Sequence, residues 1–166
     1  MPLAEIKTVS DLVRLCKSVP LYGELVTLIE LSKHHKDLKW KGGARFSYDI
    51  ECDGKKIEVK SSNVDNEWAQ KEREKDPSFQ SGFDNINPDK FDYLVCVSFR
   101  QTFTEPKPKF YVFTKDEVKL FDKARWKRVP NAFMIEIRNY SDEKRNKAIK
   151  ESKDAWHKIA QTIFVS

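Results

Sequence analysis

Two alternating runs, Phe46 to Glu51 and Lys56 to Ser61, flank the short segment Cys52-Asp53-Gly54-Lys55. Asp-Gly between alternating runs is the strongest short signal for a hairpin, so this stretch predicts a β-hairpin with Asp53 and Gly54 at its tip. That turn fixes a register: Cys52 faces Lys55, Glu51 faces Lys56, Ile50 faces Ile57, and Asp49 faces Glu58. Strand side chains alternate. Tyr48, Ile50, Ile57 and Val59 therefore form one face, directed at a core. Asp49, Glu51, Lys56, Glu58 and Lys60 form the other.

A solvated face with cross-strand ion pairs accounts for Glu51 opposite Lys56. It accounts badly for Asp49 opposite Glu58. Directly opposed residues have Cβ atoms roughly 4.5–5.5 Å apart, and like charges so placed destabilise a sheet. A divalent cation between the two carboxylates turns that liability into a site. Oxygen-only ligands suit a hard ion such as Mg²⁺, which takes one or two carboxylates together with waters and a phosphate. Lys60, on the same face, stands where an ammonium orients an attacking water and offsets phosphate charge.

The rest of the chain predicts a mixed α/β fold. A short helix capped by Ser10 is expected up to about Ser18, and a second from Pro20 across Leu21 to Lys36. On that second helix Leu21, Leu25, Leu28 and Ile29 share a face, with Glu30 opposite them. Glu24 falls at the edge of the apolar arc, an unusual place for an acid. Leu38 to Arg45, with Gly42-Gly43, reads as a basic loop. Val64 to Lys75 reads as an exposed helix or ordered loop, and Pro77 to Pro88 as a long loop. Phe91 to Phe99 has a nearly continuous apolar centre and reads as a strand buried on both faces. A turn at Glu105 to Pro108 leads to a strand over Lys109 to Phe113, then to a helix opened by the Thr114–Glu117 capping box. Ala132 to Ile137 is a further strand. Ser141 caps a final helix striped by Ala148, Ala155, Trp156, Ile159 and Ile163.

The 166 residues amount to one domain, with 39% hydrophobic residues and eleven Phe to fill a core. No apolar run approaches the roughly 18 residues of a membrane span, and no signal peptide is evident, so a soluble, cytoplasmic protein without membrane partners is expected. Cys16, Cys52 and Cys96 are scattered, without a CxxC pair, which argues against a disulfide framework or zinc ribbon. The net charge of +5 is compatible with a polyanionic partner.

Tyr48-Asp49 followed by Ile57-Glu58-Val59-Lys60-Ser61-Ser62 resembles the signature of the PD-(D/E)xK superfamily, the restriction-endonuclease-like, metal-dependent nucleases. Tyr48 stands where that pattern has proline. Gly23-Glu24 sits where many members carry a helix glutamate, and Phe91 to Val95 with Phe110 to Phe113 is similar to the later core strands. The resemblance implies a restriction-endonuclease-like core, a mixed central β-sheet flanked by helices. It implies Asp49, Glu58, Glu24 and the Val59 carbonyl as ligands of Mg²⁺, with Mn²⁺ as a substitute. Lys60 would position the nucleophilic water for phosphodiester hydrolysis in DNA. Duplex cleavage by a one-site domain implies a homodimer.

Other residues have plainer alternatives. Glu51 could join the metal shell, although pairing with Lys56 is favoured. Ser61 and Ser62 lie where similar nucleases approach the DNA backbone, yet polar residues at a strand end need no special reason. His34 and His35 are expected at a solvated helix end. His157 lacks a visible partner, and Cys52 lacks a matching thiol for zinc. Two clusters interleave basic and aromatic residues and suit phosphate contact with stacking: Lys33 to Arg45, with Lys39, Lys41, Arg45 and Trp40, and Lys119 to Arg128, with Lys127, Arg128 and Trp126. The functional expectation is a Mg²⁺-dependent DNA endonuclease, restriction-type or structure-selective. A non-catalytic nucleic-acid-binding subunit and an unrelated interaction protein are the alternatives.

Overall fold

The computed structural model describes residues 19–42, 47–100, 107–124 and 131–159. Helix α1 (Val19–Ser32) is followed by strands β1 (Leu38–Trp40), β2 (Ile50–Cys52) and β3 (Lys55–Asn63). Helix α2 (Glu67–Lys75) and β4 (Ser81–Ile86) lead to β5 (Tyr93–Phe99), β6 (Lys109–Thr114) and the single turn α3 (Lys115–Val118). β7 (Asp122–Lys123), β8 (Phe133–Ile137) and α4 (Glu143–Ser152) follow, and a 3₁₀ turn spans Trp156–Ile159. The fold is mixed α/β: a five-stranded sheet in the order β1-β2-β3-β5-β6, flanked by helices, and a smaller sheet in the order β4-β8-β7.

The hairpin forms in the expected register, with Ile50, Glu51 and Cys52 opposite Ile57, Lys56 and Lys55. Asp53 and Gly54 take φ of 49° and 78°, the two left-handed positions of a type I′ turn. Beyond β3 the sheet turns parallel, Val59 lying opposite Val95, and then antiparallel again from β5 to β6. β5 is buried on both faces, as its unbroken apolar run predicts. Val95 and Val97 join Ile50, Ile57, Val59 and Val112 in a core closed by Leu31 of α1 and by Ala155 and Ile159. Leu94 and Cys96 point the other way, against Phe83, Ile86, Phe133, Ile135 and Ile137 of the small sheet and Ala148 of α4.

Several elements depart from the expectation, each for a local reason. Leu38 to Trp40 is an edge strand rather than loop, because it finds β2 as an antiparallel partner. The expected loop over Pro77 to Pro88 contains β4, whose Ser81, Phe83 and Ile86 are buried. Asn85 at φ 56° and a register shift between Phe83 and Ile86 hide the alternation from a period-two reading. Asp142, not Ser141, caps α4, accepting the Lys144 N–H. Ala155, Trp156 and Ile159 fall after that helix, beyond a break at Asp154 with φ 50°. The first expected helix, Ser10 to Ser18, and Ile163 lie outside the described residues.

Helix α1 ends at Ser32, and its buried face is Tyr22, Gly23, Thr27 and Leu31, while the expected stripe of Leu21, Leu25, Leu28 and Ile29 is only half-buried. Spacing of four places Gly23, Thr27 and Leu31 one above another against the sheet. At Gly23 the helix backbone lies directly on Ser61. A methyl group there would collide with Ser61 Oγ and come within 3.0 Å of Ser61 Cβ. Glycine at this position is a requirement of helix–sheet distance, and it sets the height at which the next residue, Glu24, leaves the helix. Ser61 Oγ and Thr27 Oγ1 are buried in this interface without a hydrogen-bond partner.

Gly23→Ala is expected to destabilise the fold by about 1–3 kcal/mol through overpacking, read by urea unfolding. Ser61→Ala alone removes an unpaired hydroxyl and should be neutral or stabilising. Combined with Gly23→Ala it should recover part of the loss. An equal loss in the single and double variants would place the conflict elsewhere.

Candidate metal centre

The chain bends over residues 47–49 before entering β2. Asp49 therefore does not oppose Glu58 in a regular ladder. Its N–H donates to the Ile57 carbonyl at 3.0 Å, and its carboxylate Oδ2 accepts the Val59 N–H at 2.8 Å. The side chain completes the pairing of β3 where the β2 backbone has left it. An extended residue turns its N–H and its carbonyl towards the same edge, so the Val59 carbonyl faces this gap too. The same bend carries Tyr48 away from the apolar face where it was expected. Its hydroxyl donates to Glu51 Oε2 at 3.1 Å, and Lys56 Nζ lies 5.6 Å from its ring centre.

Three carboxyl groups meet at this place. Glu58, from the middle of β3, is mostly buried, and burial together with the Asp49 charge pushes its carboxyl up to about 7. Lys60 Nζ, 3.2 Å from Glu58 Oε1, acts in the opposite direction and does not overcome them. Glu24 reaches the group from α1. Burial raises its carboxyl, the Trp40 indole N–H lowers it, and Asp49 raises it through charge and a shared hydrogen bond. The indole bond is short, 2.7 Å from Trp40 Nε1 to Glu24 Oε2. Lys60 also lies beside the buried Cys96 thiol, across the β3–β5 pair.

Asp49, Glu58, Lys60 and Glu24 are thus brought together, with Val59 between them. Three acids crowded so that one is held near neutrality fit an oxygen-ligating dication, since a cation relieves the repulsion that otherwise disfavours ionisation. The donor set contains no sulfur or imidazole and suits Mg²⁺ or Mn²⁺.

The other site candidates fare differently. Glu51 stands opposite Lys56 in the ladder but does not form the expected ion pair with it. It forms ion pairs with Lys39 at 3.6 Å and Lys41 at 3.7 Å, reaching across from β2 to the edge strand and its continuation. These two lysines are partly committed to an acid and are not wholly free for phosphate. Ser61 turns its hydroxyl into the α1 interface, and Ser62 is buried on the opposite face, so neither is presented to a DNA backbone. Arg45, Lys127 and Arg128 lie outside the described residues, as does Trp126. His34 and His157 are exposed, but His35 is buried, with Nδ1 2.6 Å from Asp53 Oδ2. Sequence reasoning missed that pair and the Trp40–Glu24 bond. The signal for the second was an aromatic residue amid lysines, one strand away from an inward-facing acid.

No protein-family model matches the chain, and no curated protein matches it. Among solved structures it is similar to a bacterial homing endonuclease, I-Ssp6803I, with 18% identity and a TM-score of 0.56 over 85% of this chain and 90% of that one. At this identity the likeness defines the fold, one that a DNA-cutting enzyme also uses. Among the described residues no helix is long and apolar enough to cross a membrane.

The raised Glu58 carboxyl has a consequence for stability. Its folded value, about 7, exceeds the ordinary 4.5, so between those limits the folded chain holds a proton that the unfolded chain releases. Metal-free protein should lose stability as pH rises from 4.5 to 7, by at most roughly 3 kcal/mol for this group. Glu58→Gln should flatten that slope and exceed the wild type in stability at pH 8 in EDTA. Urea unfolding at pH 5 and 8 measures both.

Proposed function

We propose that the chain is a metal-dependent DNA endonuclease of the PD-(D/E)xK type, a single nuclease domain acting as a homodimer. The observation that carries this reading is the convergence of Glu24, Asp49 and Glu58 at a broken strand edge, with Lys60 on Glu58. The fold shared with a homing endonuclease supports it. A purely structural cluster would lower its energy by replacing one acid with an amide; three acids beside a lysine suit a cation and a phosphate.

In this reading Asp49, Glu58, the Val59 carbonyl and Glu24 would hold Mg²⁺, which would supply positive charge to the phosphate under attack. Lys60 holds the attacking water in line with phosphorus. A water oxygen–phosphorus bond forms as the water gives up a proton to solvent, the phosphorus–oxygen bond to the leaving sugar breaks, and the departing oxygen takes a proton from solvent. Asp49 keeps the strand edge open by occupying the Val59 N–H, and Trp40 holds Glu24 towards the acids. Lys39, Lys41, Arg45, Lys127 and Arg128 are the basic residues assigned to the DNA backbone.

Cleavage of supercoiled plasmid, single-stranded and branched DNA in Mg²⁺, Mn²⁺ or EDTA tests this. Cutting should require the dication. Asp49→Asn, which keeps an acceptor for the Val59 N–H, and Lys60→Ala should each slow it by at least about a hundredfold, with circular dichroism unchanged. Discrete plasmid fragments would indicate a restriction-type enzyme, and preference for branched DNA a structure-selective one. Wild-type rates in both variants would refute the site. Tight DNA binding without cutting in any metal would leave the non-catalytic binding subunit as the better description.

A further inference from the structure

A second group of ligating atoms lies at the opposite end of the hairpin. His35 follows the C-terminal turn of α1, its N–H bonded back to the Leu31 carbonyl. Cys52 closes β2 and is wholly buried, and Asp53 is the first turn residue. One ligand atom from each of these three lies within 4.8 Å of the others. The His35 side chain is only 5% exposed, and its Nδ1 is 2.6 Å from Asp53 Oδ2. Asp37 stands alongside: its carbonyl accepts the Asp53 N–H at 2.9 Å, and its charge acts on the Cys52 thiol.

Sulfur, imidazole and carboxylate form a donor set unlike that of the three acids. Zinc binds such ligands at about 2.0–2.3 Å in a tetrahedron, which places neighbouring ligand atoms about 3.3–3.8 Å apart. The three ligand atoms, all within 4.8 Å of one another and two of them 2.6 Å apart, bracket that spacing. The residues also belong to different elements, the end of α1 and the β2–β3 turn, as expected of a site that staples two segments together.

We propose that His35, Cys52 and Asp53 form a structural site for Zn²⁺, with the fourth position filled by the Asp37 carboxylate or by water. The site clamps the end of α1 to the tip of the hairpin. The helix that carries Glu24 and the hairpin that carries Glu58 and follows Asp49 are thereby tied at a point remote from those acids. Without metal, burial and the neighbouring aspartates hold the Cys52 thiol up to about 12, so it is protonated. On binding, the sulfur–metal bond forms and the thiol proton leaves to solvent.

Co²⁺ is the probe. The full chain, stripped by chelator and reduced, is titrated with Co²⁺ and then with Zn²⁺. One equivalent of Co²⁺ should give a near-ultraviolet thiolate-to-cobalt charge-transfer band that one equivalent of Zn²⁺ abolishes. Asp49→Ala and Cys16→Ser should keep the band. Cys52→Ser should lose it, and His35→Ala and Asp53→Asn should each weaken Co²⁺ binding by more than about tenfold. Zn²⁺ should raise the melting temperature of the wild type and of Asp49→Ala, but not of Cys52→Ser. If Cys52→Ser fails to fold, the His35 and Asp53 variants carry the test. A wild type without the band, a band that survives Cys52→Ser or one lost in Cys16→Ser overturns the proposal. Because Asp49→Ala retains the site, that result is independent of whether the protein cuts DNA.

Discussion

The hydrogen bond from the Val59 amide to the Asp49 carboxylate organises this molecule. It ends the β2–β3 ladder at Ile50 and Ile57, so the two strands diverge above the hairpin. A backbone carbonyl in the same place would have extended the sheet and covered the edge. A side chain there satisfies the buried donor and leaves a second carboxylate oxygen for other use. The notch at the top of β3 and the company of Asp49, Glu58 and Glu24 depend on that substitution of side chain for main chain.

The acids gather at an energetic cost that the surrounding packing has to sustain. Glu58 is held among apolar strands, beneath a helix whose distance is set by Gly23 against Ser61. Lys60 offsets part of the charge. Trp40, on an exposed edge strand, donates to the acid that comes from the helix. Four elements thus contribute to a small volume, and the one nearest solvent supplies an aromatic donor.

Much of this was legible in the sequence where the determinants are local. Asp53-Gly54 specified the turn and its register, which put Glu58 and Lys60 on one face, and Asp49 was legible as their neighbour though not in the direct opposition that alternation gave it. Glu24 was readable from its odd place on a helical wheel. The unbroken apolar run of β5 announced burial on both faces. What could not be read depended on tertiary partners. The bend over residues 47–49 reversed Tyr48 and took Asp49 out of direct opposition to Glu58, because the Val59 amide offered a better partner. Glu51 found Lys39 and Lys41 because an edge strand formed where only a glycine-containing basic loop was visible. Ser61 and Ser62 turned inward because helix and strands cover that end of β3. The bulge at Asn85 concealed β4, and with it the small sheet.

The parallel pairing of β3 with β5 also bears on the order of folding. The hairpin closes through a two-residue turn, and Asp49 joins Glu58 and Lys60 through its bond to the Val59 amide. Val59 meets Val95 only after α2 and β4 have been bridged, and such non-local pairing is slow because the loop-closure entropy is spent before the contacts form. Asp49 and Glu58 are thus joined by contacts close in sequence, while the packing that buries them, from β5 and from α1, is made across longer separations. Desolvation of the carboxyl groups therefore depends on the long-range part of the assembly rather than on the hairpin itself.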